Sequence, residues 1–473
     1  MIMIMLFVLF SSAFLTLLSK KYIVSIAGIA FAFASMLFMS LTPDMQVFYF
    51  SGWVAPLGIT WAMDRMSLLM GVLVTGVALA CAVFSARYVS HDKNKYYTLL
   101  CLLTIGLMGI SLTGDIFNLY VFMEITSIAS YALIAFPMKK MSVEGSIKYL
   151  IIGSLSSSVI LIGIIMLYGL TGTLNMADLA TKVSATPEFL AILGVIIAGL
   201  ATKAALVPLH FWLPDAYSIA PSPISAMLFS VIKGASIYMT MRVVFTIFGL
   251  GGVMWVFIIF GVITMIVGGF MALLQNDIKR LLGYSSISQT GYIFVAIGTG
   301  TLLGISGGIF HMINNVLLKS MLFLCFGIVI WHTGTRKMDK LGGLGKQMPW
   351  VAFCFAVGAL SIAGLPPFSG FASKWVIYVA TWEISPVLTA ISVIMSAITL
   401  AYFLKAFSCI FLGQGEKKVV KKTPVLMLAP VLILTAIILV IGIFPETFFS
   451  ISQQAAGDLL NQAQYIKAVL GVV

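Results

Sequence analysis

Lys203, Lys233, Arg242, Lys319, Lys374 and Lys405, together with Glu124, interrupt apolar stretches that are each about twenty residues long, enough to cross a bilayer as a helix. A charged side chain at mid-membrane costs about 2.5–3.5 kcal/mol on insertion scales, so such residues mark an ion or proton path by default. Glu124, in VFMEITSIAS, has apolar neighbours on both sides. Lys203 lies in GLATKAALVPLHFWLPDAY, where Pro208 and Pro214 must interrupt the helical hydrogen bonds. Lys374 lies in LSIAGLPPFSGFASKWVIY beside Gly364, Pro366, Pro367 and Gly370. Both segments therefore read as broken helices with a lysine near the break, the arrangement that marks ion sites in transporters. Two histidines join them, His210 in the first broken segment and His311 in HMINNVLLKSMLF. A side chain with an unperturbed pKa near 6.5 suits a proton relay between lysines. His210 fits a structural hydrogen-bonding role at the break equally well. Snorkelling to the interface is the competing explanation for Lys405, facing inward, and for Arg242, facing outward, while Lys319 fits either reading.

The elements that must position these groups follow from composition: 61% of residues are hydrophobic and 9% charged, which excludes a soluble fold. The period-two pattern of a membrane β-barrel is absent. The apolar runs predict an all-α membrane protein of about fourteen helices, at 3–18, 22–41, 66–86, 97–113, 116–136, 147–170, 189–212, 222–248, 252–275, 281–301, 303–331, 349–381, 386–412 and 426–450. The first, Met1 to Leu18, has no basic residue before it and reads as a retained helix instead of a signal peptide. The tail from Gln453 to Val473 is weakly amphipathic and is expected at an interface.

Charge tests this segmentation. With the N-terminus outside, the inside loops collect eighteen Lys and Arg and the outside loops three, Arg65, Lys182 and Lys467, as the positive-inside rule requires. The net charge of +12 is thus topological and gives no reason to expect nucleic acid. The expected location is a prokaryotic inner membrane. Lys203 to Lys374 is 171 residues and Lys233 to Lys405 is 172. With five helices separating the broken segments, that recurrence points to two inverted five-helix repeats. The expected divisions are 1–95 for three leading helices, 96–250 and 251–413 for the repeats, and 414–473 for a last helix and tail.

Cys81, Cys101, Cys325, Cys354 and Cys409 all lie in apolar segments and form no CxxC or Cys/His cluster. No metal, cofactor, nucleotide fingerprint or nucleophile constellation is readable, so a redox reaction would have to sit on another chain.

Several stretches carry a family resemblance: LYVFMEITSIASY, KYLIIGSLSSS, ATKAALVPLHFWLPDAYSIAPSPISAML, VIKGASIY, NDIKRLLGYSSISQTGYI, HMINNVLLKSMLFL and GLPPFSGFASKW. The chain resembles the antiporter-like membrane subunits shared by respiratory complex I, the Mrp-type sodium/proton antiporters and the membrane-bound hydrogenases. The resemblance implies a proton-translocating subunit, with other membrane subunits as partners. Carried over, the acidic partner falls on Glu124, the broken-helix lysine on Lys203, the middle relay on Lys233 and His311, and the exit lysine on Lys374. Many relatives have a second histidine four residues after His311, where this chain has Asn315. Lysine instead of glutamate at 374, and a length of 473 residues without a long lateral helix, lean towards the D-type Mrp subunit or its hydrogenase counterpart. Proton transport alone and proton exchange for Na⁺ both stay open, since hydroxyls such as those of Ser154 to Ser158 could bind Na⁺ without a diagnostic motif. A non-transporting scaffold and a free-standing solute transporter are the alternative functions.

Overall fold

A computed structural model describes residues 1–42, 45–249, 254–413 and 422–471. Lys417, Lys418 and Lys421 of the loop count, and the expected division between 250 and 251, lie outside these residues. The leading helices are α1 (Ile2–Ser19), α2 (Ile23–Ser40) and α3 (Arg65–Tyr88). Then come α4 (Lys93–Leu112), α5 (Ile116–Ala135), α6 (Lys140–Thr171), α7 (Met176–Lys182), α8 (Pro187–Ala204), α9 (Trp212–Tyr217), α10 (Ser222–Met227) and α11 (Lys233–Met241). They are followed by α12 (Met254–Leu273), α13 (Ile278–Ile297), α14 (Leu302–Thr333), α15 (Leu344–Gln347), α16 (Pro349–Ala363), α17 (Ser369–Ile384) and α18 (Pro386–Phe407). The last helices are α19 (Val425–Ile443), α20 (Pro445–Leu460) and α21 (Gln462–Leu470). A π-turn, Leu228–Ile232, joins α10 to α11, and a second, Arg242–Ile247, extends α11.

The chain is a multi-pass, almost entirely helical membrane protein. Among the described residues, twelve helices are long and apolar enough to cross a membrane. The other two expected spans correspond to α13, whose run Ser285 to Thr290 dilutes its hydropathy, and to the broken pair α16 and α17. Sequence explains where the helices stop and start. Asp64, Asp115, Asp277 and Thr301 cap the N-termini of α3, α5, α13 and α14 with side-chain oxygens. Proline opens α8, α16, α18 and α20, where its missing N–H is harmless.

Three details go beyond the expected helices. Beside them, β1 (Gln46–Tyr49) and β2 (Thr60–Met63) form an antiparallel hairpin, with Gln46 opposite Met63 and Tyr49 opposite Thr60. Alternating β-formers on either side of a Pro/Gly turn, too short to register against the helical pattern, account for it. The run expected at 426–450 is two helices, broken after Ile443 and restarted by Pro445. The tail does not merely lie at an interface: Ala455, Ala456, Leu459, Tyr465 and Val469 are buried against the hairpin end of the bundle.

Backbone landmarks recur at a constant interval. Asp115 and Asp277 cap equivalent helices, α6 and α14 are both 32 residues long, and Gly172 and Gly334 end them in left-handed turns at φ 68° and 69°. Asp115 bridges to Asn175, and Asp277 to Lys337. Each landmark of the second half lies 162 residues after its counterpart in the first. The chain enters α5 beside β2, through Gly114 N–H donating to Thr60 O, whereas it enters α13 at the opposite end of the bundle, beside Arg336. Equivalent helices therefore run in opposite directions, as an inverted repeat requires. The lysine interval of 171 does not match this period. Lys203 precedes its break, at Ala205, and Lys374 follows its break, at Gly364, so the two are not equivalent positions.

Arg242 does not snorkel. It is buried at 2% exposure and pairs through Nη2 with Asp64 Oδ1, itself buried at 4%. Its Nη2 also donates to Ser67 Oγ at 2.7 Å and its Nε to Tyr238 Oη at 2.9 Å, while Tyr238 Oη donates to Ser111 O at 2.7 Å. Breaking a buried ion pair from one side leaves an uncompensated charge, at about 3–5 kcal/mol. Asp64→Ala should therefore lower the thermal unfolding temperature of the purified protein sharply, and Asp64→Leu combined with Arg242→Met should recover most of the loss. Burial pushes the Asp115 carboxyl up to about 6, against the opposing pull of the Asn118 and Phe117 backbone N–H groups. A raised folded-state value means that this group's contribution is fully present below about pH 4 and lost as pH rises through about 6. Asp115→Asn, which keeps an N-cap acceptor, should flatten that segment of the stability profile in thermal scans across pH 4 to 7.

Candidate functional site

The first half of the site forms where α8 stops. Ala205 adopts φ 56° and its N–H closes on the carbonyls of Ala201 and Thr202, so Lys203 lies in the last turn of α8, where the carbonyl end of the helix favours a cation. Packing fixes that turn. Ser156 Oγ of α6 donates to Gly199 O at 2.8 Å, and a Cβ at Gly199 would come within 2.4 Å of Ile160 Cγ1. Lys203 is 7% exposed, and its Nζ donates to Ser127 Oγ at 3.0 Å. Ser127 lies one turn beyond Glu124 on α5. Glu124 and Lys203 are thus neighbours without direct contact: no ion pair joins them among the described residues, and Glu124 Oε1 is buried without a protein partner. The Ser127 hydroxyl is the hydrogen-bond acceptor that Lys203 Nζ has in the place of a carboxylate.

Lys233 begins α11, immediately after the first π-turn, a local widening that recurs at functional positions in helices. It is 1% exposed, and its Nζ has no hydrogen-bond partner among the described residues. The span that carries it, Ser222–Ile247, is buried throughout, and α14 nearly so. The two pack closely, since Ser320 Oγ donates to Ser230 Oγ at 2.9 Å and a Cβ on Gly234 would lie 3.1 Å from Val316 Cγ2.

The second half rests on two facing helix stripes. His311, Asn315 and Lys319 follow one another at four-residue steps along α14, and Ser285, Gln289 and Tyr292 line one face of α13. Lys319 Nζ donates to Ser285 Oγ at 2.8 Å and Leu282 O at 3.2 Å, and Tyr402 Oη donates to the same Ser285 Oγ at 2.9 Å. His311 bonds Gln289 Oε1 through Nε2 and Ser373 Oγ through Nδ1, each at 3.0 Å. Ser373 precedes Lys374. Lys374 is fully buried, lies 4.5 Å from the Tyr292 ring centre and donates to Ser396 Oγ at 2.9 Å. Ser396 Oγ is also 2.6 Å from Tyr378 Oη and 3.0 Å from Tyr292 Oη. Hydroxyls and an aromatic face thus surround a cation that has no carboxylate within ion-pair distance among the described residues.

The remaining candidates separate from this row. Lys405 donates to Leu273 O at 2.9 Å and Gln275 O at 3.2 Å, and so caps the end of α12. His210 is half-buried with Nδ1 unpartnered, its ring 6.5 Å from Tyr284 at the start of α13. Lys279, counted above among loop residues, is 3% exposed and holds Ala220 O at 2.7 Å and Ser225 Oγ at 3.2 Å. Ser285, Gln289, Tyr292, Tyr378 and Ser396 carry no role in the sequence reading. The one signal for them was polar residues at helical spacing inside an apolar run.

Fold and site define an almost entirely helical membrane subunit organised round buried lysines and a histidine. The chain matches the family model described as "NADH:quinone oxidoreductase/Mrp antiporter, TM" over residues 113–399, and "NADH-Ubiquinone oxidoreductase (complex I), chain 5 N-terminus" over 54–97. It is 34% identical to a D-type Na(+)/H(+) antiporter subunit of Alkalihalophilus pseudofirmus, over 97% of this chain and 96% of the relative. Among solved structures it is similar to a chain of the Mrp complex from a Dietzia species, with a TM-score of 0.93, 28% identity and 99% of both chains covered. It is equally similar in shape to a chain of an archaeal membrane-bound sulfane sulfur reductase, with a TM-score of 0.93, 31% identity and 98% and 99% covered. The chain belongs to the NADH:quinone oxidoreductase/Mrp antiporter transmembrane family.

Gly364 ties the second break to the site. It adopts φ +85°, and a Cβ there would stand 2.9 Å from Lys374 Cδ. Gly364→Ala should cost about 1–2 kcal/mol in the left-handed conformation and displace the lysine stem. The expected result is a lower unfolding temperature together with a loss of ion flux larger than the stability loss explains.

Proposed function

We propose that this chain is a proton-translocating, antiporter-like subunit of a multisubunit membrane complex of the Mrp type or of a related respiratory assembly. Glu124, Ser127 and Lys203 form its entrance, Lys233 its centre, Lys319 and His311 the onward relay, and Lys374 with Ser396 and Tyr378 its exit. The observation that carries this reading is a set of buried polar atoms along the row without hydrogen-bond partners among the described residues: Glu124 Oε1, Lys233 Nζ, Gln289 Nε2, Asn314 Oδ1 and Asn315 Oδ1. Buried polar atoms require partners, and ordered water supplies them at polar sites of this kind. Water bonded to these atoms would join the lysines into a proton wire. Asn315 can hold such a water but cannot carry the proton, so transfer between His311 and Lys319 passes through solvent or through Ser285 and Gln289 of α13.

In this scheme a proton held on Lys203 is stabilised by the Ser127 hydroxyl it donates to and by the charge of the nearby Glu124 carboxylate. Moving these charges apart releases the proton toward Lys233. The trigger belongs to neighbouring subunits, in line with the complexes in which the similar structures occur. The loop-charge asymmetry supports an outside N-terminus, and the 162-residue interval supports repeats divided close to 96–250 and 251–413. His210 and Lys405 serve at most as flanking groups.

Glu124→Gln and Lys203→Ala, introduced into the intact complex, should each lower proton flux in inverted vesicles by roughly a hundredfold, the lower end of what a positioned acid or base contributes. Assembly, read by copurification, should be retained. Normal flux in both variants would overturn the relay and favour a scaffold. Flux measured with and without sodium decides whether Na⁺ is exchanged.

A further inference from the structure

Away from the proton row, α2, α3, α14, α19 and α20 enclose an apolar groove of about 760 Å³. Phe33 and Leu37 form one wall, Ile433 and Ile437 the other, and Ile313 and Leu317 of α14 the floor. Among the lining residues the single charged one is Arg65, at the hairpin end, where Ser40, Thr42 and Gln454 also line the groove. Pro430, inside α19, lines it as well and removes a helical hydrogen bond there.

Two features identify the occupant. The first is polarity: a slot that is apolar along its length and polar at one end matches a molecule with a hydrocarbon tail and a polar head. Arg65 uses Nη1 and its backbone N–H on Asp458, at 2.9 and 3.3 Å, and its side chain is 36% exposed. Its Nε and Nη2 make no hydrogen bond among the described residues and remain available for a phosphate, which a guanidinium binds through paired N–H donors. The second is setting: α2, α3, α14 and α19, which line the groove, are long and apolar enough to span a membrane, so the medium that meets it is lipid.

We propose that this groove binds one glycerophospholipid, with its phosphate on Arg65 and an acyl chain laid against Ile313 and Leu317. Ile313 and Leu317 lie two residues from His311 and Asn315, which is about 200° round the helix. The lipid tail therefore rests on the back of α14, behind the groups that face α13. It acts as a prop for the helix that carries the central relay.

The test uses the intact complex in its own membrane. A benzophenone amino acid replacing Ile437 should, on irradiation, give the chain a mass increase equal to one phospholipid. An adduct to another subunit would overturn the proposal by showing that protein covers the groove. In a second arm the full chain is released from nanodiscs of phosphatidylglycerol and its retained lipid is counted by native mass spectrometry. Wild type should retain one lipid that Ile433→Trp loses, and Arg65→Gln should hold it about fivefold more weakly. Leu37→Trp fills the groove from the opposite wall and must give the same loss as Ile433→Trp. Undiminished lipid in a groove-filled variant that still runs as a single folded species would overturn the site.

Discussion

An ammonium group in hydrocarbon has to replace its hydration shell with oxygen atoms or ring faces held at the right distance, and much of this architecture follows from that requirement. Lys203 meets it with the carbonyl end of a helix and one serine, Lys319 with a serine and a backbone carbonyl, Lys374 with a serine and a tyrosine ring. None of these three has a carboxylate in salt-bridge contact among the described residues. A tight carboxylate partner would hold each charge in place, whereas a hydroxyl accepts from the ammonium and can equally pass on a proton of its own. Arg242 is the contrasting case, locked to Asp64 and further hydrogen-bonded by Ser67 and Tyr238. One chemistry suits a moving proton and the other a fixed joint.

The breaks serve the same requirement. A continuous helix satisfies every backbone group internally and offers nothing to a cation. Ending α8 at Ala204 exposes carbonyls beside Lys203, and ending α16 at Ala363 lets Gly364 make room for the stem of Lys374. The repeats reach similar breaks from opposite directions, yet place their lysines on different sides of them. The two halves are related in backbone and different in chemistry.

What could be read in the sequence was what the bilayer makes anomalous. Glu124, Lys203, Lys233 and Lys374 stood out because charge is rare in such segments, and the broken helices because proline and glycine are costly inside them. Lys405 stood out for the same reason and turned out to cap α12, since charge alone does not say whether a lysine reaches a water or a helix end. The partner groups were hidden: Ser285, Gln289, Tyr292 and Ser396 are neutral residues of kinds found in many spans, and only the packing of α13 against α14, α17 and α18 gives them a role. Asp64 was hidden by distance, 178 residues from Arg242 in the chain. The lysine interval led to a correct inference through the wrong landmark, because the caps and turns keep the period and the lysines do not.

The length of α14 has a mechanical side. At 1.5 Å per residue its 32 residues extend about 48 Å, against roughly 30 Å of hydrocarbon. The excess of about 18 Å is taken up by tilt or by ends that project from the hydrocarbon, and the unbroken rod carries His311, Asn315 and Lys319. His311, Asn315 and Lys319 are therefore fixed to one another along a single uninterrupted element.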